Sequence, residues 1–553
     1  MRSVTTVLPA AALVAVLLAG CTSGDDDAGA EATGGASPQG GSVVVAAPDA
    51  ARTLVPDADA AAAAVSTSRA LFSAAPLAVL VGPEDAAGQL LGSVAAVGLG
   101  VPLLVGGSDA VGPELDRLGA DTVLAVGADA DALLPRGEDV DVVAVPADAD
   151  TLARVTGLDL AAAQPVDDPA RAAAVAGLGP DSLPALRPAG GAAEQTASAA
   201  DPGELPAVRR AEPLGDVVVL TGGSPDSLAG IATARAAGAE VLLVDGADPR
   251  ASAEVVDRLA SEPTVVVLGA DLAGAPGIDW KLDTAATGTQ LPGGGQVLFP
   301  GHMLVALYGI PGSAALGLLG EQDLPGAITR AQQMADQYRP LVGTTVVPTF
   351  EIIATVASSS AGSDGDYSAE QDVETLRPWV EAAGAAGVYV VLDLQPGRTD
   401  FLTQAKEYQS LLELPHVGLA LDPEWRLEPG EVHLTQVGQV GIDEINTVVT
   451  WLADLTREEA LPQKLLVLHQ FQVRMVIDRE RLDTSRDELA ILVHVDGQGG
   501  QAAKQGTWEV LHRDAPAPLY WGWKNFIDED SPMLTPQQTI EQVQPTPELV
   551  TYQ

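Results

Sequence analysis

The stretch VYVVLDLQPGRTDFLTQAKEYQSLLELPHVGLALDPEW, residues 388–425, decides how the larger half of this chain folds. Residues 388–394 and 417–421 are short apolar runs of the kind a strand buried on both faces needs, and residues 401–413 between them carry the spacing of an amphipathic helix. Strand, helix and strand in that order make a parallel pair joined by a right-handed crossover. Outward from this unit, apolar runs recur at 304–308, 346–356, 465–469, 489–495, 508–511 and 519–523, eight in all, with helical patterns at 370–386 and 442–458. Strand and helix alternating over about 250 residues predict a TIM-like (β/α)8 barrel across residues 300–553, irregular at its last strands, within an α/β chain. A doubly wound open sheet is the alternative.

A barrel gathers the side chains at the carboxyl ends of its strands around one mouth. Polar residues fall there: Tyr308, Glu351, Asp393, Asp422 with Glu424, His469 with Gln470, His494 with Asp496, and Trp521, Trp523 and Lys524. Asp422 and Glu424 stand two apart, a spacing that puts both carboxyls on one face of an extended strand, about 7 Å apart along the backbone. Paired acids suit glycoside hydrolysis. Glu424 is the expected general acid, Asp422 or Asp393 the carboxylate that stabilises positive charge or orients a nucleophile, and Trp425, Trp521 and Trp523 flat faces for sugar rings. His469 and His494 also allow a metal-dependent hydrolase, and a mouth that binds glycan without turnover is a further alternative. No cofactor is expected.

Upstream the composition changes. Of 20 Phe, Trp and Tyr, Phe72 alone precedes Trp280, and all six His and every Lys lie beyond Asp279. Residues 42–272 repeat themselves at an offset of about 140: Leu80-Val81-Gly82 and Leu220-Thr221-Gly222 each open a series of short Val/Leu runs, Gly turns and Ala-rich helical stretches. Parallel strands joined by right-handed helical crossovers, folded as small α/β sandwiches, are predicted. Residues 273–299, without a sustained apolar period, read as a linker.

With 75 acidic against 29 basic residues and a formal charge of −46, the chain lacks the positive footprint that nucleic-acid binding needs. Met1-Arg2 and the apolar stretch from Val7 to Leu18, too short to span a bilayer, read as a signal peptide over residues 1–20. Residues 21–41 read as a solvated tether.

Three stretches resemble known families. Leu18-Ala19-Gly20-Cys21 resembles the bacterial lipobox, which implies a lipoprotein diacylated on Cys21 and held to the outer face of the cell membrane. The stretch VPLLVGGSDAVGPELDRLGADTVLAVGADA, residues 101–130, resembles the type 2 cell-wall-binding repeat, implying attachment to wall polymers. Asp422-Pro423-Glu424 on the fourth strand resembles the end of the strand-4 motif in barrel lysozymes and chitinases, implying envelope glycan as the ligand. The rival class is a non-catalytic envelope scaffold.

Overall fold

The computed structural model describes residues 41–134, 140–190 and 203–553. The expected signal peptide, Cys21 and nearly all of the expected tether lie outside the described residues. Among those described, no helix is long and apolar enough to cross a membrane.

The repeat noted in the sequence folds as two four-stranded parallel sheets. The first runs Leu103–Val105, Leu77–Val81, Thr122–Val126, Asp141–Val145 across its width. The second runs Glu240–Leu243, Val217–Thr221, Thr264–Leu268, Arg52–Val55. Position matches position, except that the fourth strand of the second sheet comes from the start of the module instead of its end. The central strands LAVLV, TVLAV and VVVLT are buried at every residue, which is why they read as unbroken apolar runs. Val79 and Val81 of one sheet and Val217 and Val219 of the other belong to one core with the helices Ala60–Leu71, Ala86–Leu99 and Leu228–Ala236. Small residues set that spacing. A Cβ on Gly92 would come within 2.4 Å of Val81 Cγ1, and one on Gly230 within 2.7 Å of Leu268 Cδ2.

The second half is a closed barrel of eight parallel strands: β1 (His302–Gly309), β2 (Thr345–Ala357), β3 (Tyr389–Leu394), β4 (Val417–Leu421), β5 (Lys464–Gln470), β6 (Leu489–Val495), β7 (Tyr520–Asn525) and β8 (Leu549–Tyr552). β1 pairs with both β2 and β8, which closes the ring. Two expectations need correction. Residues 508–511 are not a strand but part of the helix Gln501–His512, and the eighth strand is Leu549–Tyr552. Trp508 and Leu511 are buried on that helix at i and i+3, the spacing of one helical face. The irregularity falls between β5 and β6, where 3-10 turns at Val473–Met475 and Arg479–Arg481 stand in for a helix.

Residues 273–299 are built into the fold. They hold the helix Ile278–Ala286, and Leu291, Leu298 and Phe299 fill the amino-terminal end of the barrel beside Leu304, Val347, Tyr389 and Leu465. Polar contacts join this segment and the preceding module to the barrel: Lys281 Nζ lies 2.6 Å from Asp487 Oδ2, and Arg250 NH2 donates to the Asp487 carbonyl. The guanidinium groups of Arg250 and Arg457 approach the Trp280 ring at 4.3 and 4.7 Å, close enough for cation–π attraction.

Candidate active site

Alternation along each strand divides the barrel residues into those facing the axis and those facing the helices. Toward the amino end the axial positions are apolar; toward the carboxyl end they become ionisable. Contacts across the ring establish which residues these are. Tyr308 of β1 donates its hydroxyl to Asp393 Oδ2 of β3 at 2.7 Å. His469 of β5 meets Glu351 of β2 at 2.9 Å through Nε2, and through Nδ1 it meets Asp496, just beyond β6, at 3.0 Å. Thr551 of β8 donates to the other Glu351 oxygen at 2.8 Å. Lys524 Nζ of β7 sits 3.6 Å from the centre of the Tyr308 ring. His469 and His494 are register partners on adjacent strands, with ring centres 4.9 Å apart.

The structure therefore brings together Tyr308, Glu351, Asp393, His469, His494, Asp496 and Lys524. Glu351, which the sequence places within a long run, is central. Thr551 and Gln395, whose amide donates to the Tyr308 hydroxyl at 3.3 Å, are additional members. Gly522 is another: a Cβ there would meet His494 Cδ2 at 2.7 Å, so the imidazole occupies space that any larger residue on β7 would take.

Asp422 and Glu424 differ from expectation in how they are placed. β4 ends at Leu421, and Pro423–Trp425 forms a 3-10 turn capped by Asp422, whose Oδ1 accepts from the Glu424 backbone N–H at 3.2 Å. Strand alternation thus does not position Glu424; a capped turn at the rim does. Asp422 is buried and Glu424 only partly so. Trp425 is half-buried on the same turn, edge-on to His433 at 5.3 Å.

Trp521 and Trp523 are not a sugar platform. Both face outward from β7 and are buried with Trp508, Leu511, Leu534 and Val543 against the helix Gln501–His512. Trp523 donates its indole N–H to Asn525 Oδ1. Gln470, next to the inward His469, makes its side-chain amide contact with the Gln472 carbonyl, and only its backbone carbonyl, which accepts from the Asp496 N–H at 3.4 Å, meets the cluster.

The electrostatics follow from burial. Glu351, Asp393, His469 and His494 are each 0% exposed. Burial pushes Asp393 up to about 6, with Glu351 adding to the shift. Burial also drives Asp422 well above the carboxylate range, reinforced by Asp393, Asp496 and Glu424. Glu424 is pushed up to about 7 by burial and by the charge of Asp496. Burial disfavours the charge on His469, but its bonds to Asp496 and Glu351 outweigh that and hold its pKa well above the usual value. The orphans stand out: Asp393 Oδ1, Asp496 Oδ1 and both ring nitrogens of His494 are buried without a hydrogen-bond partner. A surface cavity of about 620 Å³ lies elsewhere, lined by Gly293, Thr345 and Val347, and its charged residues Asp336 and Arg339 pair with each other.

No protein-family model matches this chain, and no curated protein is similar to it. Among solved structures, Cwp6 from Clostridium difficile aligns at 12% identity and a TM-score of 0.30, over 62% of this chain. The alignment spans 63% of that protein's length. The chain itself has a mixed α/β fold with parallel sheets and a closed eight-stranded parallel barrel.

Proposed function

We propose that the barrel mouth is a hydrolytic site of the two-carboxylate kind, acting on glycan of the cell envelope. The observation that carries this reading is Glu424: a rim carboxyl, partly open to solvent, pushed up to about 7 beside the buried Asp422. A carboxyl with that pKa keeps its proton near neutrality, as a general acid must. Glu424 protonates the oxygen of the leaving sugar. Asp393, ionised near neutrality, faces the positive charge that develops on the ring and takes the proton of the attacking water, while Asp422, which burial keeps protonated, orients that water. Trp425, on the same turn, offers a ring face at the rim.

The envelope as the place of action is supported by the export signal and by the lipobox-like Leu18-Ala19-Gly20-Cys21, which would hold the protein at the outer face of the membrane through lipid on Cys21. The large negative charge leaves nucleic acid without a landing surface. The test is release of reducing ends from purified wall glycan by the full chain. Wild type is expected to release them and Glu424→Gln to lose about 1,000-fold or more, as removal of an essential general acid does. Retention on wall material without release, or a Glu424→Gln rate equal to wild type, would reject hydrolysis and leave a binding scaffold.

A further inference from the structure

Below the rim, the donors of Glu351, His469 and His494 converge to within 4.8 Å of one another. Glu351 Oε1 is 2.9 Å from His469 Nε2 and 3.8 Å from His494 Nδ1. Zinc bonded to such atoms at about 2.0–2.2 Å in a tetrahedron separates them by about 3.3–3.6 Å, a range these two distances bracket. Asp393 Oδ1 stands 3.8 Å from His469 Nε2, beside this group.

Two further features separate this group from an ordinary buried ion pair. The first is orientation from behind. The second oxygen of Glu351 accepts from Thr551, and the second nitrogen of His469 meets Asp496. Metal ligands are held this way, with the non-coordinating atom fixed by an outer partner. The second feature is the set of atoms that protein contacts leave unsatisfied. A His469–Glu351 pair needs nothing more, yet His494 is fully buried with neither ring nitrogen bonded, and Asp393 Oδ1 has no partner. Unpaired buried polar atoms are costly and rare. Gly522 keeps open the space that the His494 ring occupies.

We propose that Glu351, His469 and His494 bind a divalent first-row transition metal such as zinc inside the barrel. Two imidazoles and a carboxylate suit zinc, manganese or ferrous iron and do not suit the all-oxygen preferences of calcium and magnesium. The site is independent of Glu424, which is not a ligand.

The experiment uses the full chain, stripped with a chelator and titrated with Zn2+ by calorimetry, with Co2+ absorption as a second readout. One zinc per chain is expected, together with the visible bands of four- or five-coordinate cobalt. His494→Ala should weaken zinc binding about 100-fold or more, Asp496→Asn about 10-fold, and Glu424→Gln not at all. Should His494→Ala fail to fold, His494→Gln takes its place, with the same loss of zinc binding expected. Absence of stoichiometric zinc, or zinc binding that survives His494→Ala but is lost in Asp364→Asn of the surface cluster Asp364, Asp366 and Glu370, would overturn the assignment.

Discussion

Glu114 in the amino-terminal module and three acids at the barrel mouth, Asp393, Asp422 and the half-buried Glu424, differ in kind in their surroundings, whereas Glu351 and Asp496 at the mouth are paired and lowered as Glu114 is. Glu114 is 0% exposed and accepts from Ser68, Arg69 and Arg117, with Arg117 contributing two donors. Both oxygens are satisfied, and although burial works against the charge, those bonds bring its pKa below the ordinary value. At the mouth, Asp393, Asp422 and Glu424 face other acids, and their pKa values move up. A carboxylate held for stability is surrounded by donors. One held for chemistry is left in tension with its neighbours, and such perturbed groups cluster at functional sites.

That contrast can be tested by substitution. The largest effect is expected at Trp523, which the fold assigns to packing. Trp523→Ala should cost about 3–5 kcal/mol in denaturant unfolding, whereas a loss of glycan binding at unchanged stability would restore it to the mouth. Glu114→Ala comes next, at about 2 kcal/mol. Its partners Arg69 and Arg117 are partly exposed and can rehydrate, so the penalty falls mostly on the buried Ser68. Trp425→Ala should change stability by less than about 1 kcal/mol, because the ring is half-buried, while weakening retention on wall glycan.

The pH dependence should separate the two regions by sign. Glu424 binds its proton more tightly folded, at about 7, than its ordinary 4.5. The stability this contributes is complete below about 4.5 and is lost as pH rises through 7. Glu114 behaves oppositely: its lowered pKa contributes stability above the ordinary carboxylate value, and this is lost on acidification. Thermal unfolding between pH 4.5 and 7.5 should therefore show a downward slope that Glu424→Gln reduces and Glu114→Gln leaves in place. A slope unchanged by Glu424→Gln would mean that Glu424 titrates normally.

Much of the barrel was legible because a strand buried on both faces must be a continuous apolar run, and β1 through β7 each contain one. β8 was not, because Leu549–Tyr552 is four residues long and carries Thr551 toward the axis. The run at 508–511 misled through composition, although the three-residue spacing of Trp508 and Leu511 was a helical signal. At the site, strand parity was the signal to follow. Trp523 and Lys524 are adjacent on β7 and cannot turn to the same side; Lys524 reaches Tyr308, so the indole faces out. The same parity would have set Gln470 apart from His469. The convergence of Glu351 on His469, 118 positions away in sequence, depends on barrel closure and had no local signature.

The most direct measurement is the denaturant midpoint of Asp422→Asn against that of Glu114→Gln at pH 7. If burial and its acidic neighbours keep the proton on Asp422, exchanging that neutral carboxyl for an amide should leave the midpoint nearly unchanged, while Glu114→Gln lowers it. A loss in Asp422→Asn as large as that in Glu114→Gln would show that the mouth acids are structural partners like Glu114 and would contradict the account.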